Sequence, residues 1–295
     1  MDNRVSIGIF VYNEERNIFN ILEALSKQKT RTIDIDEIIF VSSGSTDNTD
    51  KIIRDFSKKN KRIKLIRQKN REGKASAINL FLDKAKNDIV IIGSGDIIPK
   101  ENCIEELCLP FLTDKNLGLT GAYVIPTNDK KNLLEGIIHY WWWMHNKLPR
   151  FGEMIAYRKN LVPRIPERTI ADDAYTEEII TCHGCGKKLV NSAIVENHGA
   201  ESLKDLIRQR RRIYIAYKRL GKKMNSSIKS FSILRVLLLT YEYCLYKKSV
   251  KNIFYVIIGI FIEIYSRFLG MIDLCIKNKN PYIWDVIEST KKIKT

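Results

Sequence analysis

The chain has 295 residues, of which 44% are hydrophobic and 28% are charged. That composition is ordinary for a folded protein, and the length suffices for one large α/β domain with an appendage, so a wholly disordered chain is excluded. Lys and Arg number 50 against 34 Asp and Glu, which gives a formal net charge of +16. This charge favours an anionic partner (a nucleotide, a nucleic acid or a lipid surface), although a generally lysine-rich proteome would produce the same excess.

Six cysteines are scattered along the chain without a paired framework. This pattern favours the reducing cytosol over a secreted, disulfide-linked fold. Cys182 and Cys185 form a single Cys-x-x-Cys, but no second pair and no His-x-x-x-His accompanies it, so zinc binding is only a weak expectation there. The signal for the fold starts at Val5, and we expect no signal peptide ahead of it.

Strands and helices alternate through the amino-terminal part of the sequence. The predicted strands are residues 5–12, 37–41, 62–67 and 89–92. The predicted helices between them are one with Ile18, Ile21, Leu22 and Leu25 on its apolar face, then residues 50–59 and 75–85. Asn13 is the predicted N-cap of the first helix. The alternation predicts a parallel, doubly wound sheet.

The fourth predicted strand organises this part of the chain. Residues 89–92 are all β-branched, which is typical of a strand buried on both faces of a parallel sheet. Gly93 and Gly95 then let the backbone turn sharply and leave room for a ligand. Asp96 follows at the carboxyl end of the strand, where open α/β sheets bind ligands. It either holds a hard divalent cation that bridges two phosphates or simply caps the next segment.

Three more polar turns follow the other predicted strands. They are Tyr12-Asn13-Glu14-Glu15, the Ser-Gly-Ser-Thr-Asp-Asn-Thr turn at residues 43–49, and Arg71-Glu72-Gly73-Lys74. Together with the Asp96 loop, and in this order, they resemble the motifs of a family 2 glycosyltransferase with the GT-A fold. The resemblance covers roughly residues 4–215. Each motif alone is weak evidence, whereas four in order, each after a predicted strand, are strong evidence.

The resemblance implies a role for each loop, because in this family the loops cradle a nucleotide-sugar donor and one divalent metal ion, Mg²⁺ or Mn²⁺. Asp96 would bind the metal ion. The residues that would line the base and ribose are Tyr12, Asn13, Glu14 and Ser42. Those expected near the nucleotide or sugar are Arg71, Gly73, Lys74 and Ser94. For Lys74 the alternative is an exposed lysine in the first turn of a helix.

Two departures from the family pattern concern the donor and the metal ion. The family often has Asp-Asp where this chain has Ser42-Ser43, and one of those carboxylates reads uracil. UDP is therefore in doubt as the donor nucleotide. The metal motif is usually Asp-x-Asp, but here only Asp96 carries a carboxylate. One carboxylate suffices if pyrophosphate oxygens and water complete an octahedral site.

The acidic pair Asp172-Asp173 matches the pair that follows the acceptor-side strand in this family, a strand that residues 150–158 resemble. The second acid, Asp173, would be the general base. Inverting transfer needs a carboxylate that takes the proton of the acceptor hydroxyl as it attacks the anomeric carbon. The metal ion and nearby cations would neutralise the departing diphosphate. The alternative is an acidic cap on a predicted helix at residues 172–181.

Gln209 and Arg212 resemble part of the Gln-x-x-Arg-Trp motif of the family's polysaccharide synthases, with Ile213 in place of the tryptophan. Arg212 would face the leaving diphosphate. The alternative is a solvated basic helix, and the missing aromatic residue weakens the case for a processive polymerase. His198 occupies a position where the family often has histidine, and it either faces the site or is a structural histidine.

Residues 101–109 and 132–146 predict helices, and 117–126 predict a strand between them. The second helix contains three consecutive tryptophans, Trp141 to Trp143. Aromatic faces stack against sugars or lie at membrane interfaces, which would make this segment functional. Alternatively, consecutive helical residues point in different directions, and one or two of these rings belong to the core.

The composition changes near residue 230, so we predict a catalytic domain at residues 1–229 and a helical region at 230–295. The first tail helix carries a polar stripe of Ser232, Arg235, Glu242 and Ser249. Its other positions are mostly apolar: Leu234, Leu237, Leu238, Tyr241 and Leu245.

The second tail segment, residues 253–276, is more apolar. Its longest charge-free run, residues 252–262, is shorter than the roughly 18 residues that a clear membrane span needs. Glu263 and Arg267 have the spacing of an ion pair within a helix. Flanking lysines, Lys247, Lys248, Lys251, Lys277 and Lys279, suit two helices on the cytoplasmic face of a membrane. The alternatives are a single membrane pass and a soluble hairpin that covers the core.

The sequence thus predicts a metal-dependent inverting glycosyltransferase that uses a nucleotide-sugar donor and a carbohydrate or lipid-linked acceptor in cell-envelope polysaccharide or glycolipid synthesis. A polyprenyl-phosphate glycosyltransferase is one alternative, but its acceptor phosphate is already ionised and would need no general base. A catalytically silent protein that binds nucleotide sugars or nucleic acid is the other. No recognisable nucleic-acid-binding fold is present, so we expect no nucleic-acid partner.

Overall fold

A mixed eight-stranded sheet forms the centre of the protein in this computed structural model, which describes residues 3–129, 132–148, 151–224, 233–276 and 282–283. In chain order the strands are β1 (Arg4–Val11), β2 (Asp34–Ser43), β3 (Ile63–Gln68), β4 (Ile89–Ser94), β5 (Ile97–Pro99), β6 (Leu117–Pro126), β7 (Met154–Arg158) and β8 (Gly186–Asn197). Their order across the sheet is β3-β2-β1-β4-β7-β6-β8-β5.

Helices connect these strands and extend beyond them. They are α1 (Ile18–Ser26), α2 (Thr49–Lys59), α3 (Lys74–Lys84), α4 (Cys103–Cys108), α5 (Pro110–Thr113), α6 (Leu133–Lys147), α7 (Asp172–Cys182), α8 (Leu203–Met224), α9 (Ile233–Lys247) and α10 (Val250–Cys275). The predicted helix at residues 101–109 is shorter than expected, because Pro110 starts a separate turn of helix after it.

The first four strands pair in parallel, as the alternation of strands and helices predicts. Their carboxyl ends therefore lie along one edge of the sheet. β4 is buried on both faces: Ile91 packs into the apolar cluster on one side of the sheet, and Val90 and Ile92 into the cluster on the other. The organising role of residues 89–92 is confirmed.

The sheet is not parallel throughout. β7 runs antiparallel to both β4 and β6, and β5 runs antiparallel to β8. The start of β7 consequently lies beside the end of β4, with Met154 opposite Gly93. This reversal brings the residues just before β7 to the same edge as the Asp96 loop.

The predicted N-cap of the first helix is wrong. α1 starts at Ile18 and its N-cap position is Asn17, whereas Asn13 lies four residues earlier in a left-handed turn with φ 51°. Asparagine is one of the few residues other than glycine that adopts this conformation readily. Asn13 does not cap α1, because its side chain bonds to another loop, as described below.

The two tail helices pack onto the domain rather than standing apart from it. α10 lies against α8 and α6, and its buried face consists of small and polar positions together with Tyr255 and Val256. Glu263 and Arg267 form the expected ion pair, with Nε and Oε1 2.7 Å apart. Several tail expectations lie outside the described residues: the boundary at residue 229, Ser232, the Leu234 side chain, Lys277 and Lys279.

Candidate active site

Hydrogen bonds join the loop after β1 to the loop after β2. The Asn13 side-chain oxygen accepts the amide of Thr46 at 2.8 Å, and the Asn13 amide donates to Ser45 Oγ at 3.1 Å. The amide of Glu14 donates to Thr49 Oγ1 at 2.7 Å. The resemblance places Asn13 and Glu14 beside a base and ribose, and the structure shows that both also hold this wall of the site together.

Ser42 is the last residue but one of β2 and is fully buried. Its hydroxyl donates to Ser45 Oγ at 2.9 Å. The Ser43 hydroxyl accepts the amide of Glu72 at 3.3 Å, which ties the second loop to the third. Residues 42 and 43 therefore offer hydroxyl groups, and not a carboxylate, at this end of β2.

The third loop closes against the first two. The Arg71 guanidinium lies 3.9 Å from the centre of the Tyr12 ring, in a cation–π contact. Gly44 has φ +71°, and a Cβ there would lie 2.8 Å from the carbonyl carbon of Asn70. Only glycine permits that approach, so the glycine of this turn is needed for the contact between the loops. The contact between Tyr12 and Arg71 thus joins the first loop to the third.

Lys74 starts α3 and reaches across to α7. Its Nζ lies 2.9 Å from Asp172 Oδ2, and the two side chains are 18% and 3% exposed. Burial alone would lower the pKa of Lys74, but the Asp172 carboxylate raises it on balance. The alternative of an exposed helix-start lysine is therefore wrong, and Asp172 is committed to an ion pair.

Asp173 has a different environment. The Tyr217 hydroxyl of α8 donates to Asp173 Oδ2 at 3.4 Å. A Cβ on Gly152 would lie 3.1 Å from the same oxygen, so the chain before β7 runs close to this carboxylate. Asp173 is partly exposed, whereas its neighbour Asp172 is buried.

Glu153 is a site residue that the sequence analysis missed. It directly precedes β7 and accepts a hydrogen bond from Asn197 Nδ2 at 3.3 Å. Burial, and then the negative charge of Asp96, raise the pKa of Glu153 from 4.5 to about 7. The signal for it was present in the segment at residues 150–158, but only the antiparallel direction of β7 places Glu153 at the carboxyl edge of β4.

Arg212 points from α8 into the same group of charges. Burial lowers the pKa of Arg212 to about 10, while Asp96 and then Asp172 oppose that shift. A fully solvated basic helix is thereby ruled out at this position. Gln209 lies one turn earlier and is partly buried, but within the described ranges no hydrogen bond or ion pair joins it to the cluster.

The residues at the end of β4 suit a hard cation in their chemistry. Asp96 and Glu153 interact as like charges, and a divalent cation between two carboxylates would relieve that repulsion. In the described part of the chain, no group of three His, Cys, Asp or Glu side chains could hold a metal ion. The protein would supply one or two carboxylates and leave the other positions to phosphate and water, as magnesium sites commonly do. Ser94, in register with Phe10, ends β4 beside this position.

Two other candidates lie outside the cluster. His198 is buried, and both ring nitrogens are engaged at 3.0 Å, with Thr127 Oγ1 and with Glu201 Oε1, so it is a structural histidine. Cys182 and Cys185 are free thiols at the end of α7. Within the described part of the chain, they belong to no group of three side chains that could hold a metal ion.

The three tryptophans of α6 point in different directions and are all partly buried. Trp141 lies under the Arg210 guanidinium at 4.6 Å, and Trp143 packs on Tyr243 of α9 with ring centres 5.2 Å apart. Trp142 packs against His145 and the main core. The tryptophans therefore join α6 to α8, α9 and the sheet.

The raised pKa of Glu153 has a measurable consequence. Below about pH 4.5 Glu153 carries a proton in both the folded and the unfolded chain. Between about pH 4.5 and about 7 only the folded chain keeps this proton, so the free energy of unfolding falls as the pH rises through that range. In EDTA, Glu153→Gln should therefore raise the melting temperature more at about pH 8 than at about pH 5. Glu23→Gln, which removes an exposed carboxylate on α1, is the control. Equal effects of Glu153→Gln at both pH values would contradict the assignment.

Comparisons with known proteins show which family the chain belongs to. Curated relatives include glycosyltransferase GlyG of Streptococcus pneumoniae, 35% identical over 107 residues that make up 36% of this chain and 35% of that protein. The probable glycosyltransferase YdaM of Bacillus subtilis is 27% identical over 234 residues, covering 71% of this chain and 54% of that one. The chain thus spans about a third to a half of the length of these relatives.

Among solved structures, the mannosyltransferase PcManGT of Pyrobaculum calidifontis, in complex with GDP-Man and Mn²⁺, superposes with a TM-score of 0.61 at 19% identity. The match covers 94% of this chain and 81% of that one, so the similarity in fold extends over nearly the whole chain. The sequence family described as Glycosyl transferase family 2 matches residues 6–178, which is more than half of the chain. This protein is a member of the family 2 glycosyltransferases.

Proposed function

We propose that the chain transfers a sugar from a nucleoside-diphosphate sugar to a hydroxyl group of a carbohydrate or lipid-linked acceptor, with inversion, in cell-envelope polysaccharide or glycolipid synthesis. One observation carries the proposal. The partly exposed carboxylate of Asp173 interacts with the cations Lys74 and Arg212. Asp96, the carboxylate that would hold the metal ion, belongs to the same group of charges. That set provides what inverting transfer needs: a base for the acceptor and positive charge for the leaving group.

The donor diphosphate would lie at the carboxyl edge of β4. Asp96, with Glu153 beside it, would hold Mg²⁺ or Mn²⁺, and the bound ion would supply Lewis-acid stabilisation of the diphosphate charge. Arg212 adds a planar guanidinium that can bind two phosphate oxygens at once. PcManGT was solved with GDP-Man and Mn²⁺, which supports a metal-bound nucleotide-sugar for this chain as well.

The base and ribose would lie between the first three loops. Tyr12 and Arg71 offer a stacked aromatic and guanidinium surface on one side, and Asn13 and Glu14 lie beside it. Ser42 and Ser43 provide hydroxyls in place of the carboxylate that reads uracil elsewhere in the family. We therefore include guanosine donors alongside uridine donors in the screen below.

Asp173 rather than Asp172 is the proposed base. Asp172 is nearly inaccessible and bound to Lys74, so taking up a proton would break a buried ion pair. Asp173 accepts a 3.4 Å hydrogen bond from the Tyr217 hydroxyl and is more exposed than Asp172, which supports it as the acid that would meet an acceptor hydroxyl. An acceptor that is itself a polyprenyl phosphate would make this carboxylate unnecessary, which gives the test a clear alternative outcome.

The test is transfer from a panel of UDP- and GDP-sugars with Mg²⁺ or Mn²⁺, comparing Asp173→Asn with Asp172→Asn at saturating donor. Asp173→Asn should fold normally and lose about 10²–10⁴-fold in turnover, the usual effect of removing a positioned base. Asp172→Asn should mainly lower stability by leaving Lys74 buried without its partner. Glu178→Gln, elsewhere on α7, is the matched control.

Two results would contradict this assignment. Loss of turnover in Asp172→Asn with full activity in Asp173→Asn would exchange the two roles. Full activity in both variants would favour an acceptor that is already an anion. A wild-type chain that binds donors but transfers nothing to any acceptor would favour a silent binding protein.

We also propose that the catalytic domain, residues 1–229, is held at the cytoplasmic face of the membrane by the tail, residues 230–295. Of the helices that the structure describes, α10 alone is long and apolar enough to cross a membrane by length and composition. One side of α10 is nevertheless packed on protein, and its inner side carries Glu263 and Asp273 in ion pairs with α8. A helix with one protein-facing and one apolar face suits the membrane surface better than a span.

The outer face of the tail is continuous and apolar. On α10 the exposed large apolar residues are Val250, Ile253, Phe254, Ile257, Ile260, Phe261, Ile264, Tyr265, Phe268 and Met271. Their spacing keeps them on one side of the helix. Lys247, Lys248 and Lys251 lie at the start of this face and would meet anionic headgroups.

Membrane binding can be measured by flotation of the full chain with vesicles of phosphatidylcholine, with and without phosphatidylglycerol. The protein should float with the anionic vesicles, and less so as salt is raised, because the lysine contribution is screened. Phe261→Glu together with Phe268→Glu should abolish flotation, since both rings point outward. Phe19→Glu, at an equally exposed aromatic residue of α1, should not. Unchanged flotation of the double variant would contradict the proposed face.

A further inference from the structure

Three consecutive arginines of α8 connect the tail to the catalytic cleft. Arg210 Nε lies 2.7 Å from Glu263 Oε2 of α10. Arg211 forms an ion pair with Asp273, also of α10. Arg212, the next residue, faces the carboxylates of the cleft. Consecutive residues on a helix point about 100° apart, so these contacts together allow little rotation of α8.

The two helices also approach each other closely. A Cβ on Gly270 of α10 would lie 2.7 Å from the Tyr214 ring and 3.3 Å from the Arg211 carbonyl oxygen. Ser266, one turn earlier, is fully buried and bonds back to its own helix at Ile262. Small residues at this interface fix the register between α8 and α10.

The next turn of α8 contacts the candidate active site directly. Tyr217 donates to Asp173, and the cluster that it packs on contains Ala171, the residue before the acidic pair. Leu274, next to Asp273 on α10, packs on the same cluster. The end of the tail helix and the start of α7 therefore share one small core.

We propose that Asp273 is a positioning residue for sugar transfer: by binding Arg211 it fixes the rotation of α8 that presents Arg212 to the cleft. This inference rests on the proposed function, because it assigns a transfer defect to a residue of the tail. Asp273 is 4% exposed and Arg211 30% exposed, so loss of the carboxylate leaves a largely buried arginine that must seek solvent or another partner. A movement of Arg211 would also shift Arg212, the next residue of α8.

A role in holding the tail in place would give the same contacts, and the test must separate the two. Asp273→Asn should lower transfer at saturating donor by about 10–100-fold, as expected when a group near the reacting atoms is displaced by about 1 Å. Asp273→Glu should restore part of the loss because it keeps the charge. Arg267→Gln, which removes the exposed partner of Glu263 on the same helix, should leave transfer unchanged.

A double-mutant cycle with Arg212→Lys tests whether Asp273 acts through Arg212. Asp273→Asn should have little further effect in the Arg212→Lys background, because the group that it positions is already altered. If the two losses multiply, Asp273 acts independently of Arg212 and the inference is wrong. Recovery of stability but not of transfer in Asp273→Glu would also overturn it.

Hydrogen exchange provides a readout that does not need activity. In Asp273→Asn, exchange should quicken in residues 209–217 while the strands of the sheet keep their protection. Unchanged exchange in that segment would refute the positioning role. If the wild type transfers no sugar from any donor, the proposed function fails, and this exchange measurement alone decides whether Asp273 holds α8.

Discussion

The buried ion pair between Lys74 and Asp172 joins the two halves of the cleft. Lys74 starts the helix that follows the third loop, and Asp172 starts the helix that follows the acceptor-side strand. Loss of one partner from such a pair costs about 3–5 kcal/mol in other proteins, because the remaining charge stays buried. The pair contributes geometry more than net stability. It holds the loops that would bind the nucleotide at a fixed distance from Asp173.

Charge balance governs the rest of the cleft. Asp96, Glu153 and Asp173 gather around Arg212, and burial, followed by the negative charge of Asp96, raises the pKa of Glu153. An arrangement of this kind is preorganised for a ligand that brings both charges, such as a metal ion with a diphosphate. α8, the helix that supplies Arg212, packs against α10 and forms ion pairs with it. The inner face of α10 is thus paired with α8, and its outer face exposes apolar side chains, to which we have assigned the proposed membrane contact.

Sequence patterns predicted the parallel half of the fold well, because β-branched runs and polar turns are local signals. The strand before Tyr12, the strand that contains Ser42 and the strand before Asp96 were all expected, as were the helix after Gly73 and the helix that begins with Asp172. Glu153 was missed because its importance depends on the direction of β7, which no local pattern reveals. Asn13 was read as a helix cap because capping and loop-bridging asparagines have the same sequence signature. The tryptophans showed the same limit, since only tertiary packing decides which ring is buried.

The central claim is that Asp96 and the charges around it bind a metal-complexed nucleoside diphosphate. Titration calorimetry of GDP and UDP into the full chain, with Mn²⁺ or with EDTA, tests it most directly. The account predicts that wild-type protein binds at least one of the two nucleotides far more tightly with Mn²⁺. In Asp96→Asn that metal dependence should disappear while the fold is retained. Equal Mn²⁺-dependent affinity in wild type and Asp96→Asn would contradict the account.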